Sequence, residues 1–139
     1  MKMQNETGII PLKIYLLVRA DMEHIMLTKL RDAGCDVNGT LERFMNNEML
    51  CMKFLKKFPQ DETFMEMKNA FAQGDAEEFF KAAHTMKGVS GNLGLSSLYN
   101  EMQPAVEKSR RGELPSKEDM DIIEKQYHEI IKIIRENEE

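Results

Sequence analysis

The residues best able to do chemistry lie in one stretch, His84-Thr85-Met86-Lys87-Gly88, continued by Val89-Ser90-Gly91-Asn92-Leu93-Gly94. On a helix, side chains three and four positions apart share a face. That spacing puts Lys87 and Gly88 beside His84. A neutral imidazole is a usable nucleophile near pH 7 and can carry a phosphoryl group. The Lys87 ammonium could stabilise the negative oxygens of such a group. The competing reading of Lys87 is an ordinary solvated lysine.

Each helical residue advances about 100° around the axis. With Phe79 set at zero, Ala83, Met86, Ser90 and Leu93 fall within roughly 40° of it and read as the buried stripe. Phe80, His84, Lys87, Gly88 and Gly91 cluster on a neighbouring face, roughly 120° away. The imidazole is therefore expected beside the core, semi-exposed. A glycine inside a helix costs about 1 kcal/mol relative to alanine. Two on one face point to a low surface that lets a partner approach the imidazole, or to close packing of a neighbouring helix. Spacing alone leaves both open. Phe80, Lys81, Lys87, Gly91 and Leu95 surround His84 by position and are the candidate docking residues.

No Gly-rich phosphate loop of the P-loop or kinase kind is present, so a phosphoryl group must arrive from another protein. His24 and His128 read as ordinary polar residues. Cys35 and Cys51 show neither CxxC spacing nor a histidine cluster, which argues against zinc and for two reduced thiols in a cytoplasmic protein. No metal site or cofactor is expected on this chain. The 139 residues carry 42% hydrophobic and 31% charged side chains with a net charge of -5, and the pI is about 5.3. That fits one soluble domain and disfavours nucleic acid, which needs a dense basic patch. The apolar run Ile14-Tyr15-Leu16-Leu17-Val18 is too short to span a bilayer, and no membrane partner is expected.

Strand formers are sparse, so the elements expected to position His84 are helices. Residues 1–11 read as a loose terminus. A helix is expected over 12–33, closed by Gly34, then a short one over 36–44, with Asn46-Asn47 as a break and a new N-cap. Apolar spacing predicts a helical arm over 48–73 that Pro59 kinks or splits. Gly74 suits the residue just past a helix end, Asp75 an N-cap and Glu78 its reciprocal partner. The helix bearing His84 then runs to about Asn92 and is ended by Gly94. Another is expected from Ser96 or Ser97 to Arg111, with Pro104 inside it. Ser116 and Asp119 have capping-box spacing, and Met120, Ile123, Tyr127, Ile130 and Ile134 make an apolar stripe on the last helix. The tail 136–139 reads as polar and frayed. Short connections between amphipathic helices imply an all-α, antiparallel up-down-up-down four-helix bundle. Residues 1–35 would be a helical N-terminal extension and 36–139 the bundle domain.

The string His84-x-x-Lys87-Gly88-x-Ser90, with Gly94 ten residues after the histidine, resembles the signature of histidine-containing phosphotransfer (HPt) domains. The likeness extends upstream through Asp36-Val37, Leu41-Glu42-Arg43-Phe44, Asn47-Glu48, Gly74-Asp75 and Ala82-Ala83-His84, and covers roughly residues 36–135. The resemblance implies a four-helix bundle with a phosphorylatable histidine midway along its second long helix. It implies that His84 takes a phosphoryl group from a receiver-domain aspartyl phosphate and passes it to another receiver. Lys87 then matches the lysine that neutralises the phosphate, and Gly88 the glycine that clears space. The implied partners are response-regulator receivers and a sensor histidine kinase, with Mg2+ held by the receiver. Pro104 and the long stretch before residue 36 depart from the family pattern. Two other readings fit the same residues. One is an adaptor that binds receivers without accepting phosphate, and the other a substrate domain phosphorylated directly by a kinase.

Overall fold

The computed structural model describes residues 11–136, so the expected loose terminus over 1–11, apart from Pro11, and the expected tail over 136–139, apart from Glu136, lie outside the described residues. In chain order the helices are α1 (Leu12–Asp32), α2 (Val37–Arg43), α3 (Glu48–Lys57), α4 (Thr63–Ala72), α5 (Ala76–Asn92), α6 (Ser96–Arg110) and α7 (Lys117–Glu136). Among the described residues there is no strand. The chain is all-α: α5, α6 and α7 pack with the α3–α4 arm into a bundle, and α1 lies against α7.

The local signals place most boundaries. Gly74, at φ +70°, ends α4, and the Asp75 carboxylate accepts the Glu78 N–H at 3.0 Å to start α5. Glu78 does not return the bond as a capping box would; its carboxylate takes Lys81 at 3.2 Å instead. Asn47 caps α3 through the Leu50 N–H, and Ser116 accepts the Asp119 N–H ahead of α7. Pro59 splits the expected 48–73 arm. A 3-10 turn over Phe58–Gln60 separates α3 from α4, and the Asp61 carboxylate accepts both the N–H and the hydroxyl of Thr63. Pro104 leaves α6 unbroken. It lies on the exposed face, where the carbonyl that loses its helical donor faces water.

One core holds these elements together, with Phe79, Met86, Leu98, Met102, Val106, Ile123, Ile130 and Ile134 almost fully buried. Burying each such side chain is worth roughly 1.5–3 kcal/mol. Tyr127 of α7 stacks on Phe64 at 3.8 Å between ring centroids and tilts against Phe58 at 5.6 Å. That cluster pins both halves of the split arm to α7. Met26, Leu27 and Leu30 of α1, and Cys35 just after it, belong to the same core, so the second half of α1 packs on the bundle. Its first half leaves Leu12, Ile14, Leu16 and Leu17 more than half exposed.

The α5–α6 turn is joined to α2 by a tight seam. The Asp36 N–H donates to the Gly94 carbonyl at 2.8 Å. Gly94 has φ +69°, and a Cβ there would fall on Thr40 Oγ1 and within 2.5 Å of the Asp36 carbonyl oxygen. Both left-handed strain and collision oppose a side chain at this position. Gly94→Ala is expected to lower unfolding stability by about 2–4 kcal/mol, read by urea denaturation.

Both cysteines are free and buried. Burial pushes the Cys35 thiol up from 9.0 to about 11, against the opposing pull of the Ser96 backbone hydrogen bond. Above pH 9 the unfolded thiol ionises while the folded one keeps its proton, so the folded state binds more protons and loses stability as pH rises toward 11. Thermal melts from pH 8 to 10.5 are expected to fall less steeply for Cys35→Ala than for the parent chain.

Candidate functional site

The buried stripe of α5 is formed by Phe79, Ala83, Met86 and Ser90, with Leu93 just beyond the helix end. These contacts fix the rotation of the helix about its axis. His84 consequently points outward and is exposed near the middle of α5. The ring of Phe80, one turn earlier, lies 5.7 Å from the imidazole. Phe80 is itself half-buried beneath the Arg110 guanidinium, 5.3 Å from its ring centroid.

His84, Lys87, Gly88 and Gly91 line one cavity of about 470 Å³ together with Tyr99 of α6 and Arg43 of α2. Lys87 Nζ lies 6.0 Å from the Tyr99 ring centroid, a cation–π distance that supports the ammonium beside the cavity. Among the described residues Lys87 has no acidic partner. Ser90 is fully buried and donates to the Lys87 carbonyl at 3.1 Å, which makes it part of the core and not of the reactive surface.

The two glycines of this face have different surroundings. A Cβ at Gly88 would meet nothing within 4 Å, whereas at Gly91 it would come within 3.1 Å of the Tyr99 ring. Open space lies over Gly88; Gly91 is where α6 packs closely on α5. Among the described residues, no group of three or more His, Cys, Asp or Glu is placed to hold a metal ion, and no helix is long and apolar enough to cross a membrane.

The family model for the Hpt domain matches residues 59–131, just over half of the chain and all of α4, α5 and α6. The chain belongs to the Hpt domain family. Searches of the curated proteins and of the solved structures find no match. Hpt domains act in phosphotransfer within phosphorelay signalling, and that broad role extends to this chain.

Within this Hpt domain the structure gathers His84, Lys87, Gly88, Gly91 and Phe80 at one place and corrects one candidate. Leu95 is fully buried. It lies in the turn between α5 and α6, where its carbonyl accepts the Tyr99 N–H, and it cannot form part of a docking surface. Helical spacing could not place it, because Gly94 ends the helix before Leu95. Lys81 is exposed and paired with Glu78 at 3.2 Å and Glu77 at 3.9 Å. Its ammonium is held along its own helix. Those carboxylates raise its pKa, led by the Glu78 hydrogen bond.

Sequence reasoning missed several wall residues, among them Asp36, Arg43 and Tyr99. Arg43 donates from Nε to the Asn92 carbonyl at 3.0 Å and from Nη2 to Thr40 Oγ1 at 3.1 Å. The family likeness included Asp36 and Arg43 only as landmarks in order, and nothing local joins residue 43 to residue 92. Tyr99 carried a usable signal, because an aromatic in the first turn of the next helix is a natural mate for a glycine across a tight turn.

The contrast between the glycines yields a stability test. Gly88→Ala is expected to raise stability by about 0.5–1 kcal/mol, the ordinary helix-propensity gain. At Gly91 the same change presses on the Tyr99 ring, which must shift by a few tenths of an ångström, so a smaller gain than at Gly88 is expected. Paired thermal melts check the difference.

Proposed function

We propose that His84 is the phosphoryl acceptor of this Hpt domain, taking the group from the aspartyl phosphate of one receiver domain and passing it to another. The observation that carries the reading is the exposed imidazole one turn from a glycine over which space is open. An unneeded helix glycine costs about 1 kcal/mol, and no contact within the described chain requires Gly88. A visiting protein does.

In the forward step the imidazole nitrogen distal to the backbone attacks the phosphorus of the acyl phosphate. An N–P bond forms, the P–O bond to the aspartate breaks, and the receiver's carboxylate leaves with the bonding pair. The return step reverses this on the next receiver. Lys87 offsets charge on the phosphoryl oxygens. Receivers supply the acidic pocket and its Mg2+, and a sensor histidine kinase feeds the relay upstream. Catalysis is then mostly in-line positioning of donor and acceptor. The free, buried thiols fit a cytoplasmic setting.

Incubation with a phosphorylated receiver is expected to label the chain with acid-labile phosphate, and His84→Gln to abolish the label while the helical circular dichroism is unchanged. Lys87→Ala is expected to slow transfer about tenfold, the scale of one charge-assisted hydrogen bond at ~1.5 kcal/mol. Label retained in His84→Gln rejects the assignment. Receiver binding without any label favours the adaptor reading.

A further inference from the structure

We propose that α1 joins two copies of this chain into a dimer, the exposed face of its first half crossing antiparallel on the same face of the second copy near Leu17. The pairing goes beyond the phosphotransfer reading and does not depend on it. No residue of α1 lines the cavity at His84.

The first half of α1 needs a cover. Residues 12–25 include no buried side chain, over about 21 Å of helix. A helical stretch of that length is marginal in water without tertiary packing. Its opening turns nevertheless concentrate apolar side chains at Leu12, Ile14, Leu16, Leu17 and Val18. All five are exposed, from 37% at Val18 to 59% at Leu12 and Leu17. Together they present several hundred Å² of apolar surface, an extent that marks an interaction site.

The face centred on Leu17 is complementary to itself. Lys13, Ile14, Ala20, Asp21 and His24 lie within about 60° of Leu17 around the helix, and all of them are exposed. Leu17 is the midpoint between Lys13 and Asp21, and also between Ile14 and Ala20. Two copies crossing antiparallel at Leu17 therefore set Lys13 of each level with Asp21 of the other, and Ile14 level with Ala20. Opposite charges meet twice, and a large side chain meets a small one twice. A two-fold interface requires this kind of self-matching. Among the described residues, neither Lys13 nor Asp21 has an ion-pair partner in its own chain.

The size of the surface sets the expected strength. From Lys13 to His24 the face runs about 17 Å, short of the roughly 30 Å of a standard interface. A groove of about 590 Å³ beside it extends the contact. Leu16 and Ala20 of α1 line that groove with Met49 of α3, and Met49 is 80% exposed. An interface at the small end of the range gives a dimer in the micromolar range.

Sedimentation equilibrium of the full chain, from low micromolar to several hundred micromolar, tests the pairing. The parent is expected to pass from 16.1 kDa toward twice that mass. Leu17→Glu replaces an exposed side chain and is expected to weaken dimerisation about thirtyfold or more, with the helical circular dichroism unchanged. Met65→Glu, an equal change at an exposed position on α4, is expected to have no effect. Asp21→Lys is expected to weaken the dimer about tenfold, and the charge swap Lys13→Asp with Asp21→Lys to return it to within about threefold of the parent. A parent chain that stays monomeric overturns the proposal; its flotation with anionic lipid vesicles then assigns the face to a membrane surface. A dimer indifferent to Leu17→Glu, or one weakened by Asp21→Lys and not recovered by the swap, overturns the antiparallel pairing.

Discussion

One backbone hydrogen bond, from the Asp36 N–H to the Gly94 carbonyl at 2.8 Å, sets where a wall of the site stands. The Asp36 carboxylate also caps α2 through the Gly39 N–H, and its carbonyl accepts both the N–H and the hydroxyl of Thr40. One residue thus starts a helix and moors it to the α5–α6 turn. The approach is possible because Gly94 has no side chain to interpose. With α2 moored there, Arg43 reaches the end of α5 and holds the Asn92 carbonyl. Losing the seam would leave α2 without its anchor on that turn, and the cavity beside His84 without its Arg43 side.

Helix α5 serves the core and the site at once. Phe79, Ala83, Met86 and Ser90 are sealed inside, and they are what prevents the helix from turning. A rotation by one residue, about 100°, would carry His84 toward the interior and expose the stripe. The interior is close-packed, so such a rotation has no intermediate stops. The same burial that stabilises the fold therefore keeps the imidazole outside. Tyr99 couples the two functions, since its ring packs against Gly91 and underlies Lys87.

What the sequence made legible follows from range. Periodicity, caps and breakers act within a few residues, so Gly74-Asp75, Asn47, Ser116 and the stripe on α7 announced themselves. The exposed face with His84, Lys87 and Gly88 was legible for the same reason, being a property of one helix. Gly88 and Gly91 look alike in sequence and differ only in what stands opposite, open space or the Tyr99 ring. That distinction needs the neighbouring helix in place. Leu95 was misplaced because helical spacing was carried past Gly94, where the chain turns inward. Arg43 and Asp36 entered the site through contacts some fifty residues apart, which no local pattern encodes. The turn at Met45 and Asn46, both left-handed at φ 56° and 60°, shows the same limit: Asn suits that conformation, but nothing in a methionine signals it.

Charge makes a final case for local over global reasoning. The chain carries a net charge of -5, which taken whole would repel a phosphoryl group and an acidic receiver pocket. At physiological ionic strength that field fades over about 8 Å, so a visitor responds to what lines the site. Lys87, Arg43 and Lys57 line the cavity at His84 and a depression adjoining it against Asp36 and Asp61. Both carboxylates are already engaged with backbone N–H groups, Asp36 with Gly39 and Asp61 with Thr63. Those bonds direct the carboxylates without removing their charge, so the sign of the lining rests on the three cations outnumbering the two acids. An acidic protein can therefore present a locally basic lining where its cations outnumber its acids.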